Sequence, residues 1–366
     1  MKRVLFLAII AAIVVCGCGK EDMVGEYYPT IGNRELHYVS RSGEVVPFED
    51  DDFDAPVISN TYTNGRGVVT FASPLRKIYF LGSLDITSIT IPTSVTEFED
   101  NPFKSCKNLA RFISKYSTSD GYALVKDNTL IAVARNYREE SFEIAYGVKR
   151  IGNSALLGVK IRSIVIPNSV AAIDDNAFAE CEELEVLVLP ERLQNIGKDV
   201  CLDCVNLKEV TLPESITLEG AYGCFVGCEN LERFSGAYAS ADGRCLVVDK
   251  RLYAFAPKDI AEYTIPKGVE TIAERSFAEC DRLKSITIPA SVESIGDGAF
   301  YNSSRLEELY IHSTTPPTIS GGAGRADPFA NLPSDYVIYV PKSSEAKYRA
   351  DNNWSRYESH IVGKNF

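Results

Sequence analysis

Between Ile166 and Pro190, apolar residues fall at Val170, Ile173, Ala177, Phe178, Cys181, Leu184, Leu187 and Leu189, with polar residues filling the gaps. The spacing keeps neither the alternation of a strand nor the period of about 3.6 of a helix. The stretch "IPNSVAAIDDNAFAECEELEVLVLP" returns as "LPERLQNIGKDVCLDCVNLKEVTLP" from Leu189 and as "IPKGVETIAERSFAECDRLKSITIP" from Ile265. Pro167, Pro190 and Pro213 are spaced by 23 residues, as are Pro266 and Pro289. A period that changes within every repeat describes a coil that turns once per repeat. Phe103, Leu156, Phe178, Cys201, Phe225, Phe277 and Phe300 hold one equivalent position and predict seven turns. A single turn cannot bury its apolar side, so the turns must stack and complete one another's core.

The pattern also breaks. Leu156 replaces Phe in a turn one residue shorter before Ile161, and the stretch from Pro213 to Phe225 is one residue longer than that from Pro167 to Phe178. Such turns are expected to bend the stack. A longer echo interrupts the short one: Phe112, Tyr116, Asp120-Gly121, Leu124-Val125, Leu130 and Ala134 recur 122 residues later as Phe234, Tyr238, Asp242-Gly243, Leu246-Val247, Leu252 and Ala256. Asp-Gly, an apolar pair, a polar turn and a further apolar run predict a β-hairpin. These hairpins, near 112–135 and 234–257, are expected to extend the sheet of the stack. Tyr122, Tyr238 and Tyr253 would give them an aromatic rim, an alternative place for a ligand.

Both ends differ from the repeats, as caps require. Residues 35–85 read as short strands with Ser-Gly and Asn-Gly turns, followed by a degenerate turn. Residues 86–312 are the repeats, and 313–366 a C-terminal cap with a Pro/Gly-rich loop, a strand, and a helix through Tyr348 and Trp354. Trp354, the only tryptophan, is placed to seal the core.

The first residues carry a different message. Lys2 and Arg3 precede an apolar run from Val4 to Val15 that is too short to span a bilayer and suits a signal peptide over 1–17. Val15-Cys16-Gly17-Cys18 resembles a bacterial lipobox, with Cys18 as the residue that takes the lipid and 18–34 as a tether. Lys20-Glu21-Asp22 resembles the Lys-acidic-acidic tag that exports lipoproteins of Bacteroidetes to the cell surface. Acyl chains would anchor the protein by about 0.8 kcal/mol per buried methylene.

Charge narrows the partners. Thirty-eight lysines and arginines stand against 50 aspartates and glutamates in the 366 residues, a balance that repels nucleic acid. Ten cysteines are present. Cys106, Cys181, Cys204, Cys228 and Cys280 share one repeat position, held by Ser303 in the last turn, so a stacked ladder of small side chains is expected rather than disulfides. Cys201 and Cys204 form a CxxC, yet Cys201 belongs to the Phe column and Cys204 to the Cys column.

The pattern "IPNSVAAIDDNAFAECEEL" resembles the BspA-like leucine-rich repeats (Treponema pallidum type) of bacterial surface proteins. The resemblance covers nearly all the chain after the N-terminal segment. It implies a mostly β, right-handed solenoid with strands at 184–190, 207–213 and 283–289, and a short helical turn or loop through "NAFAEC" at 176–181. Asp175, Asn176 or Asp297 would then cap a short helix, with Pro102 at a first helical position. It also implies a surface protein that binds host, bacterial or glycan partners.

The sequence holds no enzymatic constellation. His37, His312 and His360 stand apart from any Ser or Cys partner, Asp50-Asp51-Asp52 reads as a solvated loop, and no cofactor or metal motif occurs. Two distant carboxylates of a hydrolase would leave no such signature, but a regular repeat surface makes a poor pocket. The candidate contact surface is the outward column of the strands: Thr90, Val165, Val188, Thr211, Thr287 and Tyr310, with Tyr310 as its aromatic anchor. Beside it run Ser88, Ser163, Val186, Glu209, Ser285 and Glu308. The expected function is a lipid-anchored outer-membrane surface protein that binds protein or glycan. The alternative is an assembly partner of another outer-membrane protein.

Overall fold

The structure is a computed structural model that describes residues 31–319 and 327–366. The expected signal segment, Cys18 and the tag Lys20-Glu21-Asp22 lie outside the described residues, as does part of the loop after the last repeat.

Each regular turn has three sides. A front strand such as Val186–Val188 points Leu187 inward, and a proline, here Pro190, follows within two residues of its end. The proline carbonyl then accepts from the backbone N–H three residues on, as in Pro190 from Leu193 at 3.0 Å. This β-turn explains the fixed Pro-x-x-Val/Leu spacing. A two-residue back strand follows, Asn195–Ile196 here, with its isoleucine buried. The family resemblance implied strands on one side alone; the repeated isoleucine is the mark of the second sheet. Both sheets are parallel and in register, with Val186 opposite Glu209 and Val188 opposite Thr211 in front, and Ile173 opposite Ile196 behind.

On the third side, where a short helical turn or a loop was the expectation, the chain takes the loop form and the helix caps are not made. Residues 176–181 form turns, and Asn176 and Glu180 are both left-handed, at φ 55° and 56°. The same conformation recurs two positions before and after the column residue, at Asp199 and Asp203 and at Arg275 and Glu279. A chain bent twice in one reversal cannot continue a helix. Its amides bond between turns instead: Phe178 N donates to Val200 O at 2.8 Å and Cys201 N to Cys224 O at 2.8 Å. Asp175 likewise accepts from the Lys198 amide of the next turn at 3.0 Å rather than capping its own. At Pro102 the neighbouring Asn101 carboxamide oxygen accepts from Phe103 N at 3.0 Å.

The stack of about 12 turns exceeds the seven with a sequence signature. Phe255 and Phe329 extend the aromatic column, with Phe255, Phe277, Phe300 and Phe329 following one another at 4.9, 5.3 and 5.8 Å. The longer stretch after Pro213 loses its back strand, and a single bridge from Thr217 to Asn195 remains.

The hairpins divide the solenoid into three blocks. They are Ala123–Lys126 with Thr129–Val133, and Cys245–Val248 with Arg251–Phe255. The second strand of each joins the back sheet of the following block, through Leu130 beside Ile151 and Leu252 beside Ile272. To that extent each extends the sheet, as expected. Each also interrupts the front face, where separate sheets run Glu35–Ser40 to Arg111–Ile113, Ser141–Glu143 to Arg233–Gly236, and Glu262–Thr264 to Ile361–Lys364. Leu124, Ala132 and Ala134 pack into the first core, while Ala123, Leu130 and Val133 pack into the second. At the second hairpin Leu246, Ala254 and Ala256 face the second core, and Cys245, Leu252 and Phe255 the third. The hairpins are septa buried on both faces, which is why their apolar residues run consecutively.

The caps close the ends. Strand Glu35–Ser40 pairs antiparallel with Ile86–Thr90, and Val57–Thr63 turns into Arg66–Phe71 through Asn64 and Gly65, both with positive φ. At the other end the helix stops at Ala350, short of Trp354. Trp354 is fully buried, donates Nε1–H to Pro317 O at 2.7 Å and contacts Phe329, Tyr348 and Tyr357.

Candidate functional site

The septa decide which predicted surface residues meet. Val165, Val188 and Thr211 are outward neighbours in the front sheet of the second block, flanked by Glu143 and Ser235. Thr287 pairs with Tyr310 in the third block. Thr90 stands apart in the first, between His37 and Ile113. The six residues therefore form three patches rather than one column. Val188 is exposed and the other five are half-buried by their neighbours.

In the second block the surface passes from apolar to polar along the stack. Val165 and Val188 lead to Thr211, whose Oγ1 lies 2.7 Å from Ser235 Oγ. Beside them Arg233 donates to both oxygens of Glu209, at 2.8 and 2.9 Å. An open groove of about 560 Å³ lies next to Thr211, bordered by Glu191, Pro213, Ser215 and Gly236. Gly236 is left-handed at φ 96°, and a Cβ there would fall 2.1 Å from Leu212 O, so this edge requires glycine.

The third block carries an aromatic patch that the repeat pattern did not reveal. Tyr339 pairs with Tyr310 across adjacent strands, with ring centroids 4.8 Å apart and planes at 17°. Lys364 Nζ lies 4.5 Å from both centroids. Phe366 meets the edge of Tyr310 and stacks on His312 at 4.2 Å. The Tyr310 hydroxyl donates to Glu308 at 2.9 Å; burial, then that bond, push its pKa up to about 12. The alternation in "YVIYVP" was the available signal, since Ile338 and Val340 are buried while Tyr339 faces out.

The hairpin tyrosines are engaged within the protein. Tyr122 meets Tyr137 edge-on at 5.1 Å, and the Tyr238 hydroxyl donates to Glu214 O at 2.8 Å. Tyr253 lies under Arg251, 5.4 Å from the guanidinium carbon.

The cysteine ladder is present, and all eight described cysteines are free and buried. Packing is only part of its role. Cys181, Cys204 and Cys228 donate to the carbonyls of Leu156, Phe178 and Cys201 at 3.2, 3.1 and 3.1 Å. Each acceptor is the column residue of the preceding turn. Ser303 does the same to Phe277 O at 2.8 Å. Among the described residues no group of three or more His, Cys, Asp or Glu side chains is placed to hold a metal ion, and no helix is long and apolar enough to cross a membrane.

No curated protein matches in sequence. Among solved structures, a leucine-rich repeat protein from Eubacterium ventriosum is 20% identical over 70% of this chain, at a TM-score of 0.38, and this chain spans 58% of its length. A leucine rich cell surface protein from Faecalibacterium prausnitzii is 21% identical over 80% of this chain and 87% of its own, with a TM-score of 0.39. The T. pallidum leucine rich repeat protein is 19% identical over 73% and 86%, with a TM-score of 0.29. The pattern of the BspA type leucine rich repeat region matches six times, over residues 70–124, 135–236 and 251–321. The two interruptions, 125–134 and 237–250, fall on the septal hairpins and the loops beside them. With front strands, corner column and matched repeats in agreement over most of its length, the chain belongs to the BspA type leucine-rich repeat family.

Proposed function

We propose that this protein is a non-catalytic bacterial surface protein, lipid-anchored at Cys18 in the outer membrane, that binds a protein or glycan through its front sheets. The observation that carries the reading is the patch Val165, Val188 and Thr211: uncharged and outward on a protein with an acidic balance of 38 basic to 50 acidic residues. Parallel strands held in register on both sides make it rigid, so little order must be gained on contact. The groove beside Thr211 gives such a partner an edge to enter. Membership of the BspA type family, whose sequence resemblance is to bacterial surface proteins, supports the location. Burial of the hairpins on both faces favours the front sheets over the hairpin rim as the contact.

The test is partner capture by the protein immobilised through its N-terminus, from host-secretion and from bacterial-envelope extracts. Val188→Arg and Thr211→Arg are expected to weaken capture while thermal unfolding stays nearly unchanged. Capture that survives both changes and fails on alteration of the 238–253 hairpin moves the site to the hairpin. Capture confined to envelope extracts identifies an assembly partner instead.

A further inference from the structure

The front face of the third block differs in chemistry from that of the second. Its outward columns read Thr264, Thr287, Tyr310, Tyr339 and, beside them, Glu262, Ser285, Glu308, Val337. In the second block Arg233 neutralises Glu209. In the third, Glu262 and Glu308 enter no ion pair among the described residues, and Glu308 accepts only from the Tyr310 hydroxyl. The stacked rings of Tyr310 and Tyr339, with Glu308 beside them and Glu262 two strands away, form an electronegative patch: the ring faces attract a cation through their quadrupoles, and the acids add Coulombic attraction.

The patch already holds a cation. Lys364 Nζ sits 4.5 Å from both ring centroids, although Lys364 belongs to the exposed end of the last strand and its ammonium forms no ion pair among the described residues. Phe366, 52% exposed, lies over the Tyr310 edge as a half-exposed cover held by its stacking on His312.

We infer that the Tyr310–Tyr339 patch is a recognition site for a lysine or arginine side chain of a protein partner, and that Lys364 occupies it in the free protein. The inference rests on the front face being the contact surface and specifies the chemistry of the third-block patch. Exchange of one ammonium for another conserves the cation–π contact, so displacement of Lys364 costs at most the edge contact of Phe366 with Tyr310 and its stacking on His312. The partner must therefore bring a basic segment that can also reach Glu262 and Glu308.

Tetralysine is the probe, titrated calorimetrically into the unaltered protein, Lys364→Gln, and Lys364→Gln combined with Tyr339→Leu. The two variants carry equal charge, so the general attraction of an acidic chain for a polycation is common to both. Lys364→Gln is expected to bind tetralysine roughly three- to thirty-fold tighter than the double variant, and tighter than the unaltered protein. Equal affinities of the two variants overturn the inference. A readout independent of the fold of the double variant is the ring-proton NMR shifts of Tyr310 and Tyr339 in Lys364→Gln. These should move on addition of tetralysine; fixed ring signals at saturation also overturn it. The outcome is separate from the second-block test, because Val188→Arg leaves this patch intact and is read by partner capture.

Discussion

Arg275 Nη1 lies 2.7 Å from Asp199 Oδ1, a contact between residues 76 apart that ties the third block to the second across a septum. Both side chains are largely shielded, at 28% and 16% exposure. Arg135 does the same at the first septum, donating to Lys104 O at 2.9 Å and to Glu180 at 3.2 Å. The hairpins interrupt the regular run of front and corner hydrogen bonds, and an arginine spans each interruption.

Replacement of Arg275 by Leu is therefore expected to cost on the order of 1–3 kcal/mol, because Asp199 is left shielded without its partner. The pH dependence has a definite sign. Burial already raises the Asp199 pKa above 3.8, with Arg275 opposing it, so loss of Arg275 raises it further. A carboxyl raised in the fold favours the protonated native state; that contribution is complete below the unfolded value and lost as pH rises through the folded one. The deficit of Arg275→Leu should be largest at neutral pH and shrink on acidification toward the ordinary carboxylate range. Thermal unfolding of both proteins over that range checks this, and a pH-independent deficit contradicts it.

How far the sequence could be read follows from what repeats. The inward positions recur because each must fill the same slot, so Leu184, Leu187 and Phe178 were legible as core. The back sheet was not, because two-residue strands such as Asn195–Ile196 are too short to show alternation. The septal role of the hairpins was hidden for another reason. Consecutive apolar residues at Ala123 and Leu124 reveal burial on both faces but not against which neighbours. The front-face patches depended on those breaks, and so Thr90 was grouped with residues it does not meet.

The cysteine ladder predicts a difference between two small substitutions. Cys204→Ser keeps a donor for Phe178 O, as Ser303 does naturally for Phe277 O, and should be nearly neutral. Cys204→Ala removes one of two donors to that carbonyl, which the Cys181 amide also serves at 3.1 Å, and should cost about 0.5–1.5 kcal/mol. Burial pushes the thiols of Cys106 and Cys224 up to about 11 and about 12, so at neutral pH they should stay unreactive until denaturation. Thiol labelling with and without denaturant measures this. A disulfide between ladder positions found by mass spectrometry would contradict the role assigned to them.

The anchoring proposal is tested separately from the fold. Cys18→Ala should abolish fatty-acid labelling and release the protein from the detergent-extracted fraction, and persistent labelling excludes Cys18 as the lipid site. Removal of Lys20-Glu21-Asp22 should leave the protein lipidated yet shielded from protease added to intact cells. Unchanged cleavage there excludes the surface tag.

The septa also set how far damage spreads. Phe277 contacts Phe255 at 4.9 Å and Phe300 at 5.3 Å, so its truncation to alanine opens a cavity at the start of the third core. Phe178 lies within the second core, enclosed by its neighbours. Either replacement by alanine is expected to cost about 3–5 kcal/mol. In an uninterrupted solenoid the loss would pass from turn to turn, since stability there is a sum of neighbouring interfaces. Here each hairpin supplies its own two-sided wall, with Leu246 facing one core and Leu252 the other. Amide exchange in Phe277→Ala should therefore accelerate over the third block, from 262 to the end, and leave residues 141–212 near their original protection. In Phe178→Ala the pattern should reverse. Acceleration that runs evenly through both blocks in either variant would show that the septa do not partition the core.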